Sequence, residues 1–205
     1  ILDIDILSST IGLENWYNHK LWFMAKIPFD LNYVPIFSEY ILRILGNKLG
    51  NSKRCLICDL DNTLWGGVIG DDGLDGILIG NGDPVSEAHL DLQKIILEIR
   101  NRGIALAICS KNNEKNALLP FTKHPEMILK EKHFAIIQAN WTDKASNIRL
   151  IAKSLSLGLE SMVFLDDNPV ERAQVRQELP EVAVPELPND PSLFAKTLLS
   201  AGYFE

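Results

Sequence analysis

Four short apolar runs constrain this chain more than any other feature: CLICDL (55–60), IALAIC (104–109), FAIIQ (134–138) and MVFLD (162–166). None alternates apolar with polar residues, so each reads as a strand covered on both faces. Amphipathic stretches with helical spacing lie between them, at 86–102 before Gly103 and at 144–157 before Gly158. Strand–helix–strand repetition implies right-handed crossovers and an open parallel sheet flanked by helices, an α/β fold. VAVPEL (182–187) is read as a fifth strand.

The polar residues fall where such a sheet binds its ligands, beyond the carboxyl ends of the strands. The first run ends in Asp59-Leu60-Asp61-Asn62-Thr63, the second in Ser110-Lys111-Asn112-Asn113, the fourth in Asp166-Asp167-Asn168, and Lys144 opens the last crossover helix. Only residues 64–83 separate the first cluster from the next helix, so any cap over the site is small or absent.

Residues 1–52 have a different character. Trp16, Tyr17, Leu21, Trp22 and Phe23 cluster, and helical apolar spacing runs from Val34 to Leu49. This segment is expected to be a helical arm and linker packed on a catalytic domain spanning 53–205. The chain opens with Ile rather than Met, which favours a piece of a longer protein over a processed one.

The net charge of −7 argues against nucleic acid as a partner, because phosphate backbones need a basic footprint. No apolar run approaches the ~20 residues that span a bilayer, so no membrane role is expected. Three cysteines without a signal segment suggest free thiols in a reducing compartment, hence a cytoplasmic location. Cys55-x-x-Cys58 is half a zinc site at most, since i and i+3 on a strand face opposite sides. The lysines at 111, 115, 123, 130 and 132 form a basic stretch, ordinarily a solvated surface. The four histidines show no metal spacing and receive no role.

The clustered residues can transfer a phosphoryl group. Asp59 can attack phosphorus as a nucleophile. Asp61 can protonate the leaving oxygen and then activate water. Ser110, Lys111 and Asn112 are candidate substrate-binding groups, and Lys144 can neutralise developing charge. Asp59, Asp61, Asp166 and Asp167 are candidate ligands of Mg²⁺, as hard oxygen donors. At least one of Asp166 and Asp167 is expected to ligate, with the choice open. Asn112 either bonds the loop carrying Asp59 or caps a helix. Trp65-Gly66-Gly67 is either a structural turn or a lid, and Arg172 is read as a helix-surface residue rather than an anion clamp. Cys109 is either a small apolar filler or, at the end of its strand beside Ser110, a thiol able to relay an acyl group.

The motifs resemble those of the haloacid dehalogenase (HAD) superfamily. Asp59-Leu60-Asp61-Asn62-Thr63 is similar to its first motif, Ser110 to its second, Lys144 to its third and Asp166-Asp167 to its fourth. The resemblance implies a HAD-like, Rossmannoid sheet, Mg²⁺ as cofactor and Asp59 as nucleophile. The stretches DLDNTLWGGVIGDDG (59–73), ICSKNN (108–113) and FLDDNPVERAQV (164–175) look like the FkbH-like branch. NWYNHKLWFMAKIPF (15–29) resembles the segment preceding the phosphatase-like domain in its longer members. That branch implies a glyceryl transferase/phosphatase of polyketide biosynthesis. It would take a D-glyceryl unit from 1,3-bisphosphoglycerate, remove phosphate and load an acyl carrier protein through its phosphopantetheine thiol. The resemblance favours the relay reading of Cys109. A plain phosphatase acting on a small molecule or an exposed protein site is the alternative.

Overall fold

The computed structural model describes residues 3–50 and 52–204, and of Asn47 the backbone alone. The chain divides into two compact units between Ser52 and Lys53. In the first, helices α1 (Ile4–Ile11), α2 (Leu13–Trp16), α3 (His19–Ala25) and α4 (Val34–Lys48) follow one another. Its aromatic residues stack locally: the Trp16 ring lies 5.1 Å from Phe29 and 6.1 Å from Tyr33, and Phe29 lies 5.2 Å from Phe37.

The second unit is built on four strands, β1 (Cys55–Cys58), β2 (Ala105–Ser110), β3 (Ile136–Ala139) and β4 (Met162–Leu165). They form one parallel sheet in the order β3-β2-β1-β4. The helices are α5 (Ile69–Asp72), α6 (Pro84–Asn101), α7 (Glu114–Lys123), α8 (Lys144–Leu155), α9 (Pro169–Glu178) and α10 (Phe194–Ser200). Strand alternation sorts the core into two faces. Leu56, Cys58, Leu106, Ile108, Val163 and Leu165 pack with residues of α6, α7 and α10. Cys55, Ile57, Ala107, Cys109, Met162 and Phe164 pack with residues of α8 and α9.

Four short polar side chains start the helices at the carboxyl edge. Asp83, Asn113, Asp143 and Asn168 accept from the backbone N–H of Ser86, Lys115, Ser146 and Val170 at 2.9, 3.1, 2.8 and 2.9 Å. Pro84 and Pro169 follow two of these caps at the first helical position, where a missing N–H costs nothing. Helix α7 has no counterpart in the apolar spacing, because Pro120 interrupts its pattern close to the C-terminal end.

The expected fifth strand does not form. Residue 183 makes one isolated parallel bridge to Val163, with Phe164 N–H donating to the Ala183 carbonyl at 2.8 Å and Ala183 N–H to Met162 at 3.0 Å. Pro185 has no N–H with which to extend the ladder.

After β1 the chain makes a tight hairpin. Asn62 takes a left-handed φ of 55° and exchanges hydrogen bonds with Gly67, which itself sits at φ 87°. A Cβ on Gly67 would meet Asp72 Oδ2 at 2.6 Å, so only glycine fits there. Trp65 is fully buried, edge-on to Phe121 at 5.8 Å, which makes Trp65-Gly66-Gly67 a structural turn. Residues 64–83 add only the four-residue α5 and the isolated Asp61–Trp65 and Gly66–Leu78 bridges, so nothing the size of a cap domain is present in that segment.

Helix α6 holds this hairpin from below. His89 Nδ1 lies 3.0 Å from the Thr63 carbonyl. Gln93, fully buried, donates to Leu64 O at 2.8 Å and accepts from Ile128 N and Leu129 N at 3.2 and 3.1 Å. Gln93→Ala strands three backbone groups, two buried and one part-buried, and should destabilise the protein by about 2–4 kcal/mol, read as a lower urea midpoint. A midpoint within error of the wild type would remove Gln93 from this role.

Candidate active site

The carboxyl ends of β1, β2 and β4 and the start of α8 converge on a pocket of about 190 Å³. Asp59, Asp61, Asn62, Ser110, Lys111, Lys144, Asp167, Asn168 and Glu171 line it. A larger groove of about 700 Å³ along α7 and β3 contains none of the β1 or β4 acids. Volume alone would choose that groove; the clustered acids and Lys144 single out the smaller pocket.

Asp59 follows β1, held by its N–H donating to Leu165 O at 2.9 Å. Its carboxylate joins those of Asp166 and Asp167, with one oxygen from each lying within 4.8 Å of the others. Lys144 Nζ stands 3.0 Å from Asp59 Oδ1 and pairs with Asp166 Oδ2. The Lys144–Asp59 contact has ion-pair distance without hydrogen-bond alignment, so the buried Asp59 Oδ1 has no hydrogen-bond partner among the described residues. Burial pushes the Asp166 carboxyl up, aided by the negative charge of Asp59 and opposed by Lys144. Burial and the same charge raise Asp167. Burial alone would lower Lys144, but Asp59 and Asp166 outweigh it and hold the ammonium well above its ordinary value.

These features fit a divalent cation. The cluster carries three carboxylates against one ammonium. Its oxygens are hard donors of the kind Mg²⁺ takes, and among the described residues Asp59 Oδ1 has the Lys144 ion pair but no hydrogen-bond partner.

Asp61 has a different environment. Its Oδ1 accepts from Trp65 Nε1 at 3.0 Å and Ile69 N at 2.9 Å, and its Oδ2 from Asn112 Nδ2 at 2.8 Å. The expected metal role of its side chain is not met: the carboxylate is outside the acid cluster and occupied by three donors. Burial raises its pKa against the hydrogen bonds from Ile69 and Trp65. Asn112 is buried and serves Asp61 rather than the pocket, which it does not line. Its neighbour Asn113, not Asn112, caps α7. Ser110 and Lys111 do line the pocket, and Lys111 Nζ pairs with Glu171 at 2.6 Å.

Cys109 is not brought to the site. Its thiol points into the face covered by α8 and lies 3.7 Å from the Lys144 carbonyl, within the apolar cluster of Ala107, Ala145 and Ile148. The alternation of β2 continues through Ser110, so the side chain has no freedom to turn inward. Burial pushes its pKa up, and the nearby Lys144 does not offset this. All three cysteines are free and buried, with Cys55 and Cys58 on opposite faces of β1.

Several residues with site roles had no assigned function in the sequence. Thr63 Oγ1 donates to Asp167 Oδ1 at 3.1 Å and accepts from Asp167 N at 3.0 Å, tying the first acid motif to the last. Arg172 is buried rather than on a helix surface, and bonds the Asp166 and Asp167 carbonyls. Glu171 joins the pocket from the first turn of α9. An acid beside an N-terminal cap is too common a pattern to have singled it out.

The chain is similar to the N-terminal part of the protein BF1531 from Bacteroides fragilis, which contains a phosphatase domain and was solved complexed with Mg. The two share 44% sequence identity at a TM-score of 0.88, over 97% of this chain and 53% of that one. The fold is HAD-like. This chain spans about half the length of that relative. A HAD family enzyme from Bacteroides thetaiotaomicron, in complex with magnesium and inorganic phosphate, is 13% identical at a TM-score of 0.45, over 67% of this chain and 95% of that one. A cobalt-bound deoxy-D-mannose-octulosonate 8-phosphate phosphatase from Haemophilus influenzae is 13% identical at 0.47, over 74% and 88%. Both are too distant to bear on the chemistry. No protein-family model and no curated protein sequence matches the chain. Among the described residues no helix is long and apolar enough to cross a membrane.

The buried thiols yield a direct check. Burial raises Cys55 to about 12 and Cys58 and Cys109 further, so the thiolate fraction stays negligible at pH 8. The native protein should resist iodoacetamide at pH 8 and label at all three cysteines once denatured. Rapid native labelling at Cys109 would restore it as an accessible nucleophile.

Proposed function

We propose that this chain is a Mg²⁺-dependent phosphatase that works through an aspartyl-phosphate at Asp59. One observation carries the reading: Asp59, Asp166 and Asp167 share a cluster with Lys144, while Asp61 lies apart with a raised pKa. The 44% identity to a phosphatase domain solved with Mg supports it.

Asp59, Asp166 and Asp167 would hold the ion. When bound, it supplies positive charge that lets an anionic carboxylate approach an anionic phosphate. The remaining chemistry belongs to side chains. An Asp59 carboxylate oxygen attacks phosphorus, and the bond to the leaving oxygen breaks as Asp61 gives that oxygen its proton. Asp61, now anionic, takes a proton from water as the water attacks the aspartyl phosphate. Phosphate leaves, and both carboxyl groups return to their starting states. Asn112, Trp65 and the Ile69 N–H hold Asp61 in one orientation through both steps. Ser110 and Lys111 supply donors to the phosphoryl group from β2. Residues 64–83 form no cap domain, which suits a substrate carried on a larger molecule as well as a small one.

A second reading adds D-glyceryl transfer from 1,3-bisphosphoglycerate to an acyl carrier protein, in polyketide biosynthesis. It is favoured by the FkbH-like stretches 59–73, 108–113 and 164–175. With Cys109 buried, the carrier thiol itself would attack the acyl phosphate, forming the thioester and releasing phosphate. The free cysteines favour a reducing, cytoplasmic setting for either reading.

Asp59→Asn should abolish phosphate release from p-nitrophenyl phosphate while the protein stays folded. Chelation should stop the wild type, Mg²⁺ should restore it, and Ca²⁺ should substitute poorly because it favours longer bonds and more ligands. Cys109→Ala should keep phosphate release. Undiminished turnover by folded Asp59→Asn, or full activity in chelator, would refute the mechanism. Carrier loading by wild-type protein given 1,3-bisphosphoglycerate and holo carrier, followed by intact-mass measurement, decides between the two readings.

A further inference from the structure

Two consecutive acids at a strand end should point apart, since side chains alternate across the sheet. Asp166 and Asp167 follow β4 directly, yet both carboxylates reach the same cluster with Asp59. The backbone must therefore leave strand geometry at this point, and something must hold it there. The buried guanidinium of Arg172, one turn into α9, lies directly behind it.

Arg172 Nη1 donates to the Asp166 carbonyl at 2.9 Å and to the Asp167 carbonyl at 2.5 Å. Successive carbonyls of a strand face opposite ways, so one donor can reach both only when the peptide between them has turned. Nη2 is anchored in turn on Glu186 Oε1 at 2.5 Å and Leu187 O at 3.3 Å. Across the same backbone, Thr63 Oγ1 accepts from Asp167 N and donates to its carboxylate. The acid pair is thus held by two buried side chains, Thr63 from the loop after β1 and Arg172 from α9.

We propose that Arg172 is a positioning residue for the metal-binding acids: its planar fork fixes the turned backbone that aims Asp166 and Asp167 at one ion. This rests on the metal-dependent reading given above. Burying a guanidinium is poor value as stabilisation alone. Its ionic partner Glu186 is mostly exposed, and its Nε has no hydrogen-bond partner among the described residues. Nη1 alone serves both carbonyls, and what a lysine ammonium, a single point of charge, cannot reproduce is that grip together with the Nη2 anchor on Glu186 and Leu187.

The test is Mg²⁺ binding by isothermal titration calorimetry on the full chain, without substrate, alongside urea unfolding in chelator. Arg172→Lys should weaken Mg²⁺ by about ten- to a hundredfold, the range for groups that orient metal ligands. Glu186→Gln loosens only the outer anchor and should weaken Mg²⁺ by a few-fold at nearly unchanged urea midpoint. If Arg172→Lys does not fold, Glu186→Gln alone decides. Wild-type Mg²⁺ affinity in folded Arg172→Lys, or in Glu186→Gln when the lysine variant does not fold, would overturn the positioning role and leave the metal site standing. A wild-type protein that binds no Mg²⁺ would overturn both.

Discussion

The carboxyl edge of the sheet depends on one contact, the Lys144 ammonium set between the carboxylates of Asp59 and Asp166. All three groups are buried, and taking each charge from water costs several kcal/mol. The carboxylates more than offset that cost for Lys144, whose pKa rises despite burial. Without the ammonium, Asp59, Asp166 and Asp167 would repel one another across less than 5 Å. Removing one partner of such a pair leaves an uncompensated buried charge, worth about 3–5 kcal/mol. The same contact holds the first turn of α8 against the ends of β1 and β4, so the charge arrangement and the packing of the edge are one constraint. A single ammonium against three acids leaves a negative excess, which is why the cluster suits a divalent cation.

Two carboxylates one residue apart acquire different chemistry from their surroundings. Asp59 faces Lys144 and the acid cluster, with a buried oxygen that has ion-pair contact with the ammonium but no hydrogen-bond partner among the described residues. Asp61 lies beyond the bend at Leu60, where Trp65, Ile69 and Asn112 occupy three of its acceptor positions, one on Oδ2 stays open for a proton, and burial favours the protonated form. Separation of acid and nucleophile roles by environment is a general way for paired carboxylates to share a reaction. The left-handed Asn62 and the glycine at 67 let the chain turn sharply enough to give neighbouring acids such different settings.

The parallel sheet, its crossover helices and the clustering of Asp59, Asp61, Ser110, Lys144 and the Asp166–Asp167 pair were legible because apolar runs and strand-end polar clusters are local patterns. What escaped was long-range or depended on side-chain direction. Arg172 is five and six residues from the acids in sequence and reads as a solvent-facing arginine; its contacts with residues 186–187, 14 and 15 positions on, are not visible in a local pattern. Thr63 sits 104 residues from the Asp167 it grips. Cys109 admits two readings in sequence, and the pleat that β2 keeps through Ser110 realises the apolar filler. Residues 182–187 have a strand's composition, but a proline at 185 limits them to a single bridge. Asn112 offered two readings, and the one realised needed knowledge of where Asp61 points.

The central claim is that Asp59 becomes covalently phosphorylated while Asp61 governs release of that group. Asp61→Asn should slow hydrolysis of the intermediate, so protein mixed with Mg²⁺ and a good phosphoryl donor such as p-nitrophenyl phosphate should accumulate it. Acid quenching, proteolysis and mass spectrometry locate the adduct. The account predicts one phosphoryl increment on the peptide containing Asp59, assigned to that residue by fragmentation and lost on treatment with hydroxylamine. Phosphate release with no adduct at any time point, or an adduct on a different residue, would contradict it.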